Sequence, residues 1–238
     1  MSPTSQPMDL EDQGASIASR LNWLRAGVLG ANDGIVSTAG MIFGVAGAAV
    51  SDRTILIAGI AAVVAGALSM AVGEYVSVSS QKDSEKAEIE IERRQLAANP
   101  GHGLKQLTGL IAARGIDPDL AHQVAVQLSE KDPLTAHARL ELGIDPEALT
   151  NPWHAGISSM IAFTLGGLVP LLAFLASPHS AEVAVTALAV VLALAITGSV
   201  SARLGRAPIG RAALRTVAGG MAAMAVSYGI GATIGVRL

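Results

Sequence analysis

Two carboxylates in this sequence stand where carboxylates are costly. Asp33 lies in Gly30-Ala31-Asn32-Asp33-Gly34, inside an apolar run from about Leu24 to Val50. Glu74 lies in a second run from about Ile55 to Val78, and each is the one acidic residue of its run. Asp33 falls about 15 Å into its run at helical rise. An ionisable side chain in hydrocarbon needs a counter-charge, a proton or a cation. No Lys or Arg within the apolar runs is placed to neutralise Asp33. A bound cation or a proton is the simpler partner; the other reading is a structural Asp tied to a helix or a backbone group. Met70 lies one turn before Glu74 on the same helix face. A hard carboxylate beside a soft thioether suits a borderline divalent ion such as Fe²⁺ better than Mg²⁺ or Ca²⁺. The alternative for Met70 is a side chain that fills a packing gap. At helical spacing Met70, Glu74, Ser77, Gln81, Glu85, Glu88 and Glu92 share roughly one quadrant. They form either an acidic stripe or a solvated face with Lys82, Lys86, Arg93 and Arg94 nearby.

The elements that position these residues follow from hydropathy. A membrane-spanning helix needs about 20 mostly apolar residues. Three further runs qualify: about Trp153–Ala176, Val183–Ala202 and Ala212–Val236. A soluble domain of 238 residues could not cover five such helices. The expected fold is therefore all-α: a polytopic membrane protein with five transmembrane helices and a small cytoplasmic helical domain inserted between helices 2 and 3. The expected organisation is a disordered cytoplasmic tail over residues 1–20, helices 1 and 2 over 21–78, the helical domain over 79–152, and helices 3 to 5 over 153–238. With the N-terminus in the cytoplasm, only Arg53 and Arg237 of the 16 Lys and Arg residues face outward. The odd number of spans puts the C-terminus outside.

The inserted segment holds 12 of the 19 acidic residues. No Gly or Pro interrupts Glu74–Ala98, so the second span continues into it as one helix until Asn99-Pro100-Gly101. Short helices are expected over about Leu104–Arg114, Asp119–Glu130 and Leu134–Leu142, with Asp117 as an N-cap. Gly30/Gly34 and Gly40/Gly44 permit tight helix crossing, either within the chain or between two copies.

Several functions are excluded. Cys is absent, which removes disulfides and thiolate chemistry, and a net charge of −3 gives no reason to expect nucleic acid. No HExxH sequence is present. Only one intramembrane Asp exists, and His154 and His179 sit at span ends without a partner motif. The chain is read as a non-enzyme without a cofactor.

The runs RAGVLGANDGIVSTAGMIFGVAGA, SMAVGEYVSVSSQKDSEKAEIEIERRQL and AHARLELGIDPEALTNPWHAGISSMIAFTLGGLVPLL resemble the vacuolar iron transporter family, and the resemblance extends from Leu21 onward. It implies a five-span homodimer in a lipid bilayer that exports Fe²⁺, and often Mn²⁺, from the cytoplasm in exchange for protons. It implies a translocation path at the subunit interface. The family's path residues correspond to Asp33 and Met70, and Glu74 lies in the same motif. The family's cytoplasmic domain collects metal with glutamates spaced E-x2-E-x7-E-x2-E, a methionine pair and a further Glu. Here those positions read Glu92, Gln95, Gly103 and Gln106, then His137-Ala138, then Glu141. Gln and Gly bind a divalent cation less well than a carboxylate. Two readings stand: a reduced metal site of Glu85, Glu88, Glu92, His137 and Glu141, or a domain that only supports dimer packing. The rival for the whole chain is a non-transporting membrane scaffold or metal-sensing protein. The expected location is the plasma membrane in a bacterium and the vacuolar membrane in a eukaryote.

Overall fold

The computed structural model describes residues 10–235, with side chains described from Gly27 onward. Residues 1–9 of the expected tail, the side chains of Arg20 and Arg25, and the segment 236–238 with Arg237 lie outside that description. Among the described residues every regular element is helical: α1 (Leu10–Gly47), α2 (Asp52–Ala98), α3 (Pro100–Ala112), α4 (Pro118–Lys131), α5 (Pro133–His137) continued by a π-helical turn (Ala138–Leu142), α6 (Pro152–Ala176), α7 (Glu182–Leu204) and α8 (Ile209–Gly235). Five of them are long and apolar enough to cross a membrane, namely Gly27–Gly47 of α1 together with α2, α6, α7 and α8. The chain divides into two compact units. One runs up to Tyr75 and resumes at Pro152; the other is Val76–Asn151.

The first unit is built around α1, which packs against α6, α7 and α8. Its buried core joins Ile35, Ala39, Ile42 and Phe43 of α1 to Leu171 and Phe174 of α6, Val190 and Leu194 of α7 and Met224 of α8, with Ile55 and Val63 from α2. The crossings are close because side chains are missing there. A Cβ at Gly34 would overlap the Phe163 carbonyl, and one at Gly231 would overlap the Gly44 carbonyl. The small residues of α1 thus serve contacts within the chain, Gly30 and Gly34 on α6 and Gly40 and Gly44 on α8. Outward faces carry apolar side chains such as Ile60, Val64 and Leu68 of α2 and Leu188, Leu192 and Ile196 of α7. Such faces suit hydrocarbon, which accepts helices because their backbone groups are satisfied internally.

The second unit starts its helices by capping. Asn99, Asp117 and Asp132 each accept backbone N–H groups at the start of α3, α4 and α5, and each is followed by Pro at the first helical position. Leu107, Ile111, Ala121 and Ala125 form its core.

Two boundaries differ from the sequence expectation. α1 begins at Leu10 rather than after a tail ending at 20, since one Gly and no Pro occur between Leu10 and Arg20. α3 begins at Pro100, because Asn99 both follows the end of α2 and caps the next helix.

Candidate metal centre

Three of the five candidate ligands of the second unit meet. Glu92 reaches in from α2, His137 ends α5, and Glu141 follows on the π-helical turn. His137 Nδ1 lies 3.0 Å from Glu92 Oε1 and 3.2 Å from Glu141 Oε2. The His137 and Glu92 side chains are 1% and 6% exposed, and Glu141 is 26% exposed. An ionised carboxylate only accepts, so with both in that form the imidazole would donate through Nδ1. The Gln106 amide donates to the second oxygen of Glu141. π-turns recur at functional sites, and here the turn carries Glu141 four residues beyond His137, within reach of the same nitrogen.

The opposite ring nitrogen, Nε2, is buried and has no hydrogen-bond partner among the described residues. A Cβ at Gly103 would lie 3.7 Å from it. Thus Glu92, Gly103 and Glu141, separated in sequence, converge on the His137 imidazole, and Gln106 holds Glu141 through its other oxygen. The set of two carboxylates and an imidazole suits divalent first-row ions. A bound ion would take the place of the Nδ1 proton.

Glu85 and Glu88 do not join this group. Glu85 accepts from the Gln81 amide at 2.8 Å, and Glu88 is exposed. Glu90 is committed to Arg93 and Arg94 at 2.9 and 3.1 Å.

In the first unit Asp33 lies on an exposed stripe of α1 with Leu29, Ser37 and Met41. The Ser37 hydroxyl donates to the Asp33 backbone carbonyl at 2.7 Å, which leaves the carboxylate uncommitted by that bond. Met70 and Glu74 are half-buried on α2, one turn apart. Neither Asp33 nor Glu74 has an ion-pair partner among the described residues. His179, at the span end where the sequence puts it, contacts Asp52 at 2.6 Å and Glu182 at 3.6 Å. His179 and Glu182 are three residues apart around the start of α7, while Asp52 comes from the start of α2, so sequence spacing links only two of the three.

Five apolar helices with an additional helical unit between the second and third define a multi-pass membrane protein. The VIT family model matches residues 24–232. A vacuolar iron transporter of Acanthamoeba castellanii is 48% identical, over 88% of this chain and 77% of its own length. Vacuolar iron transporter homolog 5 of Oryza sativa subsp. japonica is 37% identical over 90% of this chain and 81% of its own length. Vacuolar iron transporter homolog 3 of Arabidopsis thaliana is 34% identical over 94% of this chain and 90% of its own length. The chain belongs to the VIT family.

Proposed function

We propose that this chain is a homodimeric transporter that exports Fe²⁺, with Mn²⁺ as a second substrate, from the cytoplasm in exchange for protons. The observation that carries the reading is Asp33, a carboxylate on an exposed stripe of a membrane helix without a counter-charge among the described residues. Hydrocarbon does not tolerate that arrangement uncovered. A second copy of the stripe facing the first supplies both cover and a second carboxylate for a divalent ion. The relatives named as vacuolar iron transporters support iron as the cargo.

In this reading Asp33, Met70 and Glu74 line the path, and Met70 favours Fe²⁺ over harder ions. Burial favours the protonated carboxylate while a cation favours the ionised one, so metal and proton compete for one site. That competition couples the two fluxes. Residues 76–151 are the cytoplasmic unit, and Glu92, His137 and Glu141 form its reduced metal site. The N-terminus is cytoplasmic and the C-terminus outside.

The test is reconstitution into liposomes with an imposed pH gradient, following Fe²⁺ and Mn²⁺ uptake. Wild type is expected to take up ion only with the gradient, and Asp33→Asn is expected to lose uptake. The ratio of the two ions names the preferred substrate. No uptake of either ion by folded, dimeric protein would move the reading to a scaffold or metal sensor.

A further inference from the structure

At the end of the helix bundle where α1 leads to α2 and α6 to α7, three ionisable side chains converge. Asp52 opens α2, Glu182 opens α7, and His179 lies in the link before α7. The imidazole Nδ1 is 2.6 Å from Asp52 Oδ2 and 3.6 Å from Glu182 Oε1. The three donor atoms lie within 4.8 Å of one another. Between Asp52 and Tyr75 the helix rises about 35 Å. The cluster is therefore about a membrane thickness away from the end at which the chain leaves this bundle at Tyr75.

One imidazole N–H can serve only one of these carboxylates well. The short bond goes to Asp52, and at 3.6 Å Glu182 is beyond hydrogen-bond range. Glu182 is nevertheless only 15% exposed, so its charge is poorly hydrated. A divalent ion with bonds of about 2.1 Å holds adjacent donors about 3 Å apart, between the two distances seen here. It also balances two carboxylates, which one imidazolium does not.

A second observation lies one turn further along α7, on the same face as Glu182. Thr186 is fully buried, and its hydroxyl has no hydrogen-bond partner among the described residues. Thr164, Ser199 and Thr216 return their hydroxyls to the carbonyl one turn earlier, and Thr186 does not. A buried polar group is thus left uncommitted one turn after Glu182 on α7.

We propose that Asp52, His179 and Glu182 form a divalent transition-metal site, taking a borderline ion such as Mn²⁺, Fe²⁺ or Zn²⁺ through imidazole nitrogen and carboxylate oxygen. The Nδ1 proton leaves to solvent as the ion binds, and in this proposal Thr186, one turn beyond Glu182 on the same face, offers its uncommitted hydroxyl to a water of the ion's shell. Use of this site as the last station of an exported ion rests on the transport reading above; binding itself does not.

The experiment is an imidazole ¹⁵N NMR titration of the full chain in nanodiscs with Mn²⁺, whose unpaired electrons broaden nearby signals. His179→Gln assigns the signal among the 5 histidines. The expected result is broadening of His179 in the wild type, with roughly tenfold or more Mn²⁺ needed in the double variant Asp52→Asn/Glu182→Gln. Both substitutions keep side-chain size at partly exposed positions, and unchanged metal-free signals from the other histidines check the fold. A His179 signal that stays sharp in the wild type, or that broadens equally in the double variant, overturns the site. The readout does not use transport. Its failure leaves the transport reading standing, and loss of uptake in Asp33→Asn leaves this site standing.

Discussion

His137 and His179 each face two carboxylates, one pair buried or partly buried and the other at the rim of the bundle. In the metal-free protein the charge of Asp52, then that of Glu182, holds the His179 imidazole above its usual value of 6.5. The ion pair therefore contributes stability that is fully present below 6.5 and is lost as pH rises through the raised value. Asp52→Asn is expected to bring the midpoint down, read from the imidazole carbon-bound protons by NMR; an unchanged midpoint would remove Asp52 as the cause. Around His137 a gain of charge is the sharper probe. Gly103→Glu with Gln106→Glu restores two carboxylates beside His137, with the flexible end of Leu96 giving way at 103. Calorimetry of the full chain should show Mn²⁺ affinity rising by roughly tenfold, since affinity follows the number of charged ligands. No change would mean that the pocket is not a metal site. Helical spacing put Glu92 on one face with Glu85 and Glu88, only family spacing made His137 and Glu141 visible, and the sequence gave all five equal standing. Helical periodicity reports a shared face but not which members of that face a neighbouring element covers. The His179 group was only half visible in spacing: Glu182 follows His179 by three residues, but Asp52 is brought to them by the packing of helix ends.

Among the elements, α2 was the most legible. A span from about Ile55 that continues without Gly or Pro from Glu74 to Ala98 predicts one long helix, and α2 runs as one helix over Asp52–Ala98. Asp117 as an N-cap was equally readable, since a short acceptor before Pro satisfies the first free N–H groups. The π-helical turn was not readable. One extra residue per turn leaves the apolar pattern almost unchanged, while it alters which side chain faces His137. The stability of that segment depends on Asp132, which caps α5 through the Thr135 N–H at 3.1 Å and the Thr135 hydroxyl at 2.7 Å. The hydroxyl bond first, then the backbone bond, lowers the Asp132 carboxyl below 3.8. Its contribution is thus present above 3.8 and is lost as pH falls through the lowered value. Asp132→Ala should cost about 1 kcal/mol of local stability, seen as faster hydrogen exchange at the amides of α5. Exchange unchanged from wild type would show that the cap is not limiting there.

At the scale of the whole molecule, the described bundle satisfies the close crossings of α1 internally but leaves its Asp33 stripe open. Gly34 and Gly44 are spent on α6 and α8, so they offer no argument for a second copy. The argument comes from Asp33, Ser37 and Met41, which lie on the exposed side of the same helix. A carboxylate facing acyl chains would be paid for out of stability with no return, whereas two such stripes placed together share an ion or a proton between them. The homodimer proposed here then has a specific geometry: α1 of one protomer faces α1 of its partner. The absence of Cys makes this directly measurable, because a single introduced thiol is the only one present. Ser37→Cys should cross-link to a dimer with a short bis-maleimide in nanodiscs, whereas Leu188→Cys, on an exposed apolar face of α7, should not. Cross-linking at Leu188 and not at Ser37 would place the partner on α7 and separate Asp33 from any interface. Cross-linking at neither would leave the carboxylate to be covered by water or lipid headgroups. Either result would remove the shared-ion mechanism even if transport itself were found.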